Sequence, residues 1–556
     1  MKALICCLNS KYVHASLAPW CLYSGVREYS CAPVSPKVIE GTINGSSLEF
    51  LEKIKKENPQ LLSFSCYIWN IEKTLEIAEL AKEKMDCKIV LGGPEVSFRP
   101  KEVLEEYPFI DYVLSGEGEK AFPFLLDALY FKKDLKEVKS LTYRENSEVI
   151  TNEEMEYLEE VISPYCEEYF GNLNGRISYI ETSRGCPYRC AFCLSGRCGP
   201  VRYFQIDRVK EDIISLANSG TKTIKFVDRT FNAKEDRANE IIEFIIENSG
   251  KKFPENICFH FEIAGDILKE STLNILEKAP KGLFQLEIGM QSFNEETLKA
   301  INRKTNTEKL IENIKKLLSF KNMHIHIDLI AGLKGEDIKS FERSFDIGFN
   351  LRANMLQMGF LKLLYGAEMR ENKEEFPCEF SEDPPYEVIS TPWITREEII
   401  SLKKCEDALE RLYNSGRFLE TINYLLENKY TPFKLFMEIG SAIEGANLSL
   451  WEYARKVFLF LKDKKGVNPS VLRDKMISDL LLCSSSPKIF DELKVPDKMH
   501  NKIKKHLISK LGNNIKIAIL YSEEKVLAVD YTGEKDFSSR YSPIYYDLDK
   551  IKETLE

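Results

Sequence analysis

Three cysteines in C-x3-C-x2-C order, Cys186, Cys190 and Cys193, sit on one short stretch, SRGCPYRCAFCLSGRCG, directly after the apolar run ISYIETS. Thiols crowded in this way need a reason, and a fold must present them on a loop at the end of a strand. An odd set so close together cannot pair off into disulfides, and residues 1–8, MKALICCL, read as a first buried strand rather than an export signal. A structural zinc site wants a fourth ligand at finger-like spacing, for which the downstream Cys198 is an awkward substitute. An iron–sulfur cluster fits better. Thiolates on successive turns of one loop can reach three irons of a cubane and leave the fourth iron open for chemistry.

The totals narrow the class. A chain of 556 residues has room for three or four domains. The net charge of −10 argues against a broad nucleic-acid footprint, so a nucleic-acid partner is disfavoured. No apolar run reaches the length of a membrane span, and no membrane association is expected. Most of the fifteen cysteines, such as Cys6, Cys7 and Cys66, lie in apolar runs and read as small core residues in a reducing cytoplasm.

From residue 1 to about 135, continuous apolar runs alternate with amphipathic stretches: KALICCLN, VIEGTI, LLSFSCYIW, KIVLGG and DYVLSGE as strands, with helical spacing between them. This pattern predicts an α/β domain with a Rossmann-like (flavodoxin-like) parallel sheet covered on both faces. Ligands of such sheets sit beyond the carboxyl ends of the strands. Those ends are Asn9 to His14, the run Tyr67, Ile68, Trp69, Asn70, the turn Gly92, Gly93, Pro94, Glu95, and the turn Ser115, Gly116, Glu117, Gly118, Glu119. No G-x-G-x-x-G follows the first strand, so a dinucleotide is a poor candidate. The glycines would let backbone approach a large flat ligand. Residues 136–176 read as a linker, polar and acidic, with a small hairpin turning at Glu145 to Ser147.

Alternation resumes over residues 177–370. Six strands, ISYIETS, KTIKFVD, ICFHFEIAG, LFQLEIGM, HIHIDLIAGL and MLQMGFLKL, alternate with helices and fit the partial (β/α)6 barrel of the superfamily that the cysteine loop resembles. Polar residues recur at its strand ends: Asp228, Glu262, Glu287, Gln291, Arg303 and Asp328. A zwitterionic, cationic ligand wants carboxylates and one guanidinium, and diols want paired acceptors. His324 and His326 share one face of their strand, and the barrel wall suits them better than its lumen. Cys198 reads as exposed and incidental. Residues 371–556 change character, with a proline-rich, acidic transition followed by a mostly helical domain from about Arg396 to Lys510. IKIAILYS and KVLAVDYT close it as a terminal β-hairpin turning at Glu523 and Glu524.

The cysteine loop, with aromatic Phe192 before its last cysteine, resembles the cluster loop of the radical S-adenosylmethionine (SAM) superfamily. That resemblance implies a 4Fe-4S cluster on Cys186, Cys190 and Cys193, SAM on the open iron with Phe192 beside it, and an external electron donor such as flavodoxin or ferredoxin. The segments GMQSFNEETLKAINR and IDLIAGL resemble those of oxygen-independent coproporphyrinogen oxidases. By that likeness Glu262 and Arg303 hold the amino-acid end of SAM, Gln291 and Asp328 hold its ribose, and Asp228 lies at a motif that contacts its amino group.

The first domain, placed ahead of such a barrel, resembles the cobalamin-binding domain of the cobalamin-dependent (class B) radical SAM enzymes. Its LGGPE and SGEGE turns carry that likeness, although the D-x-H-x-x-G pattern of other cobalamin proteins is missing. The resemblance implies cobalamin held base-off, with no histidine ligand, over Tyr67 to Asn70 and against Gly92, Gly93, Pro94, Glu95, Gly116, Glu117 and Gly118. It further implies a cytoplasmic C-methyltransferase acting on an unactivated carbon of a small molecule or peptide. The alternatives are rearrangement, cyclisation or reduction without methyl transfer, and tRNA modification.

Overall fold

The computed structural model describes every residue except Ser147, Lys429, Ala446 and Glu556, together with the side chain of Asn428. The chain divides into two compact units. One comprises Met1–Gly289, Leu298–Met323 and Leu361–Thr391, and the other Met290–Thr297, His324–Phe360 and Pro392–Glu556.

The first unit begins with β1 (Lys2–Asn9), α1 (Ala18–Tyr29), β2 (Ser35–Thr42), α2 (Ser47–Glu57), β3 (Leu61–Ser65) and α3 (Ile71–Lys84). It continues through β4 (Lys88–Gly92), the short α4 (Pro94–Ser97), α5 (Pro100–Glu106), β5 (Tyr112–Leu114) and α6 (Gly118–Phe131). β1 is buried from Ala3 to Asn9, which is what a central strand covered on both faces requires. Strands β1 to β5 pair in parallel in the order β2-β1-β3-β4-β5, so their carboxyl ends share one edge. Asp127 of α6 accepts hydrogen bonds from Ser30 Oγ and the Cys31 and Ala32 amides, capping the end of α1.

The hairpin expected within the linker belongs to this sheet. β6 (Leu141–Glu145) and β7 (Glu148–Thr151) add to β5 as antiparallel strands. Leu141, Thr142 and Tyr143 are buried, and an edge strand with a buried row has to be covered. Of the turn expected at Glu145 to Ser147, Ser147 lies outside the described residues.

After α7 (Glu167–Leu173), β8 (Ser178–Ile180) opens the second sheet. β9 (Ser183–Arg184) and β10 (Arg202–Tyr203) form a two-stranded ribbon that brackets the cysteine loop. There follow α8 (Ile206–Ala217), β11 (Thr223–Phe226), α9 (Glu235–Asn248), β12 (Cys258–Ile263), α10 (Glu270–Glu277), β13 (Phe284–Gln291), α11 (Glu295–Ala300) and α12 (Thr307–Phe320). β8, β11, β12 and β13 pair in parallel, each with the next. Phe226, Phe231 and Phe261 pack with centroids 4.3–5.3 Å apart toward the carboxyl ends of β11 and β12.

The chain then supplies β14 (His324–Ala331), α13 (Ile338–Asn350) and β15 (Met355–Phe360) to the second unit. It returns to the first with α14 (Glu368–Glu371), β16 (Glu379–Phe380) and β17 (Val388–Ser390). In the second unit β14 and β15 pair in parallel across α13. The helices expected after Arg396 are present: α15 (Arg396–Leu409), α16 (Leu419–Asn428), α17 (Pro432–Ala442), α18 (Leu450–Leu461), α19 (Pro469–Cys483) and α20 (Lys498–Leu511). Phe345 and Phe349 of α13 pack against Phe433, Phe436 and Tyr413, so the last barrel-type strands and these helices share one core. The terminal hairpin, β18 (Ile515–Leu520) and β19 (Lys525–Asp530), is extended by β20 (Pro543–Asp547) and α21 (Leu548–Leu555). β19 is buried along most of its length and needs a neighbour on each side. β20 escaped notice because its exposed edge residues break the apolar run. Among the described residues no helix is long and apolar enough to cross a membrane.

Candidate active site

The cysteine loop leaves β9 at Arg184 and returns through β10. Each of its three sulfurs meets a polar group. Cys186 Sγ lies 3.5 Å from Thr230 Oγ1, Cys190 Sγ accepts from Arg303 Nη1 at 3.8 Å, and Cys193 Sγ accepts from the Ser195 amide at 3.4 Å. Hydrogen bonds to sulfur stabilise thiolates and tune a cluster, so this donor set fits the iron–sulfur group. Burial pushes the Cys190 thiol up, and the Arg303 guanidinium opposes it. The loop is tied down by Ala191, whose amide donates to Ile301 O at 2.9 Å and whose carbonyl accepts from the Met369 amide at 3.0 Å. Phe192 is half-buried on the same loop, and Cys198 is exposed.

The residues expected around SAM divide between the two units: Asp228, Glu262 and Arg303 in the first, Gln291 and Asp328 in the second. Asp228 is buried, and its carboxylate accepts from Ser183 Oγ at 2.5 Å, Thr182 Oγ1 at 2.7 Å and the Thr182 amide at 3.0 Å. Burial pushes it up to about 6 against these three bonds. Asp228 thereby braces the strand end that launches the cysteine loop. Glu262, near the end of β12, stands in register with Glu287 in the middle of β13, two acidic residues side by side on neighbouring strands. Such a pair suits a cationic ligand.

Arg303 Nη2 donates to Gly289 O at 2.5 Å, while its Nε is buried with no hydrogen-bond partner among the described residues. An orphaned guanidinium donor beside a cluster cysteine fits a ligand carboxylate. Gln291 ends β13 in the left-handed region, at φ 68°, where the chain turns sharply. On β14, His326 is buried with Nε2 3.0 Å from Asp328 Oδ1. His324, on the same face of the strand, is half-buried.

At the carboxyl edge of the first sheet, Tyr67 and Trp69 stack with centroids 4.4 Å apart and planes 5° from parallel. Trp69 is 47% exposed, so the stack presents a flat aromatic surface. Ile68 between them is half-buried. Asn70 is committed to backbone: its amide donates to Leu8 O and Ser65 O, and its Oδ1 accepts from the Tyr67 amide at 2.7 Å. Gly93, at φ 104°, runs so close to Cys66 that a Cβ would sit 2.5 Å from the Cys66 carbonyl. Gly116, at φ 72°, faces open space instead. Bare backbone beside an aromatic shelf suits a broad planar ligand. Pro94 opens α4, and Gly118 opens α6 against Leu22.

Glu95 is buried and accepts from the Tyr386 hydroxyl, and burial pushes it up. Both oxygens of Glu117 accept from Arg202. His14 is engaged by Tyr179, with Tyr179 Oη 2.7 Å from its Nδ1, and burial holds it below the usual histidine range. A cavity of about 210 Å³ also opens at the ends of β1 and β2, lined by Asn9, Tyr12, Glu40 and Arg176.

Family profiles match three stretches of the chain. The radical SAM superfamily profile covers residues 180–347 and the B12-binding domain profile residues 36–126. The chain joins a B12-binding domain to a radical SAM domain. A third profile, described as a protein of unknown function (DUF4080), covers residues 374–528. The chain is similar to the cobalamin-dependent radical SAM methyltransferase TokK of Streptomyces tokunonensis. The two are 27% identical over 304 residues, 51% of this chain and 44% of that protein. Similar too is 2-(S-pantetheinyl)-carbapenam-3-carboxylate methyltransferase of Streptantibioticus cattleyicolor, 29% identical over 311 residues with the same coverage. The chain thus spans less than half the length of these relatives. In fold it resembles the cobalamin-dependent SAM radical enzyme OxsB, with TM-score 0.59, 17% identity, and coverage of 92% of this chain and 80% of that one. The radical SAM methyltransferase TsrM of Kitasatospora setae gives TM-score 0.56 at 17% identity, covering 66% of this chain and 76% of that one.

Around this B12-binding radical SAM site the sequence hid several participants. Thr230 at Cys186, Ser195 at Cys193 and His260, whose Nε2 lies 3.0 Å from Glu287 Oε2, have no spacing signature. Arg184 and Glu119, which pair across 65 residues of chain, stood beside recognised motifs yet gave no local sign of each other.

Proposed function

We propose that this protein is a cobalamin-dependent radical SAM enzyme that transfers a methyl group to an unactivated carbon, with the substrate a small molecule or peptide. The observation that carries the reading is the donor set at the cysteine loop, where three thiols each meet a polar group and the Arg303 guanidinium donates to Cys190 while its Nε has no partner among the described residues. When bound, the cluster would supply an electron to SAM and the corrin a methyl group.

The chain's own residues hold, orient and shield. Cys186, Cys190 and Cys193 would bind three irons, and the Arg303 charge would favour the thiolate at Cys190. Arg303 Nε would take the SAM carboxylate, and the Glu262–Glu287 pair would favour its cationic end. Tyr67 and Trp69 would form the floor of a base-off corrin, with the bare backbone of Gly92, Gly93 and Gly116 along its rim. An external donor such as flavodoxin or ferredoxin would supply the electron.

Anoxic reconstitution tests the reading. The protein should retain iron, sulfide and cobalamin, and turnover should give 5′-deoxyadenosine together with S-adenosylhomocysteine. Cys190→Ala should lose the iron and all SAM cleavage while keeping cobalamin. Deoxyadenosine without S-adenosylhomocysteine would transfer the assignment to a rearranging or cyclising enzyme, and zinc at the thiols would end it.

A further inference from the structure

We infer that the acidic residues of the two glycine turns, Glu95, Glu117 and Glu119, are positioning residues that hold the cysteine loop against the B12-binding domain rather than contacts to a corrin. The inference rests on the proposed placement of the corrin at those turns.

Three independent ties carry it. Arg184, two residues ahead of Cys186, donates through Nε and Nη2 to the two oxygens of Glu181 at 2.9 Å each. Its Nη2 also donates to Glu119 Oε1 at 2.5 Å, and its Nη1 lies 3.6 Å from Glu117 Oε2. Arg202, opposite Arg184 in the β9–β10 ribbon, takes Glu117 with both nitrogens, at 2.6 and 3.1 Å, and also donates to Leu158 O at 2.6 Å. The strands entering and leaving the cluster loop therefore carry one arginine each, and both arginines are held by the single turn Gly116–Glu119. Two guanidiniums side by side would repel one another without these carboxylates.

The third tie comes from the segment Leu361–Thr391. Its Tyr386 hydroxyl donates to Glu95 of the other turn, its Met369 amide donates to Ala191 O, and its Gly366 carbonyl accepts from Arg197 Nη1 at 2.7 Å. One segment thus touches both the Gly92–Glu95 turn and the cysteine loop.

The choice of charge is informative. A half-buried fork of this kind gains little stability over apolar packing, because removing the ions from water offsets their attraction. What it supplies is direction: a planar guanidinium donates to carboxylates in its own plane. The arrangement fixes orientation where two cofactors must share one substrate. Both oxygens of Glu117 are already engaged by Arg202.

The test separates positioning from ligand binding. Glu119→Gln and Tyr386→Phe are compared with wild type and with the exposed Glu105→Gln, each checked for an unchanged melting temperature. In the cofactor-free protein, amide exchange over residues 183–202 should rise about tenfold in Glu119→Gln, and over 191–198 in Tyr386→Phe, with no change in Glu105→Gln. Cobalamin affinity should stay within about twofold of wild type, since no corrin contact is lost. In reconstituted protein the distance between the reduced cluster and cob(II)alamin, read by pulsed electron paramagnetic resonance, should broaden in both variants. Exchange unchanged over these residues overturns the inference, as does a large loss of cobalamin affinity with exchange unchanged, which would make the acids corrin contacts. Should wild type bind no corrinoid while the exchange results hold, the proposed function fails and the clamp stands.

Discussion

At the scale of single residues, the chain places titratable groups where solvent cannot reach them and engages them through hydrogen bonds and ion pairs. Glu336, fully buried, accepts from Ser292 Oγ at 2.6 Å and Ser344 Oγ at 3.1 Å, and burial pushes its carboxyl up to about 7. The folded protein therefore holds this proton more tightly than the unfolded chain. Its contribution to stability is full below the ordinary glutamate range and falls as pH rises toward 7. Glu336→Gln should remove about 3 kcal/mol of pH-dependent stability, measured as the difference in urea midpoints between pH 5 and pH 8. Equal slopes in variant and wild type would show that Glu336 is ionised in the fold. The opposite arrangement occurs at Arg540, whose Nη1 donates to the buried Asp479 at 2.7 Å and to Gly416 O at 3.0 Å. Arg540→Leu leaves that carboxylate buried without its cation and should cost about 3 kcal/mol in the urea transition. A loss under about 0.5 kcal/mol would mean that the Glu420 and Thr421 amides suffice for Asp479.

At the scale of elements, the strand ends decide what the sheets can hold. β3 and β4 deliver the aromatic shelf and the Gly93 backbone to the same edge, in parallel register, with Ser65 opposite Gly92. Gly93→Ala places a methyl 2.5 Å from the Cys66 carbonyl in a region of backbone that alanine rarely adopts. It should destabilise the first unit by at least about 2 kcal/mol and lower cobalamin retention after gel filtration. A variant that melts like wild type and retains cobalamin would show that the turn relaxes freely. The short β9–β10 ribbon has only two residues in each strand, and its placement comes from arginine side chains rather than from ladder hydrogen bonds.

At the scale of the whole molecule, the helical region after residue 391 is not an appendage. Tyr413 donates to Ala353 O, Asn414 binds both the amide and the carbonyl of Leu356, and the Phe433 amide donates to Asp346 at 2.7 Å. With the phenylalanine cluster of α13, these bonds make β14, β15 and the helices one folding unit. A chain ended at Thr395 should expose Phe345 and Phe349, elute as aggregate and show no cooperative melt. A monodisperse product with a sharp transition would show that the barrel strands stand without the helices.

The sequence by itself determined the cysteine loop, the alternation that makes two α/β sheets, and which residues stand at the strand ends, because spacing and periodicity are local and survive in one dimension. It also foretold the helices after Arg396, whose apolar faces repeat every few residues. Tertiary structure alone decided which acids answer which bases. Glu95 meets Tyr386 across 291 residues, and Glu117 meets Arg202 across 85. It decided as well that the hairpin at Leu141–Thr151 joins the first sheet and that β20 completes the last. Those outcomes depend on the burial of charge and the covering of strand edges, and neither has a period to be read along the chain.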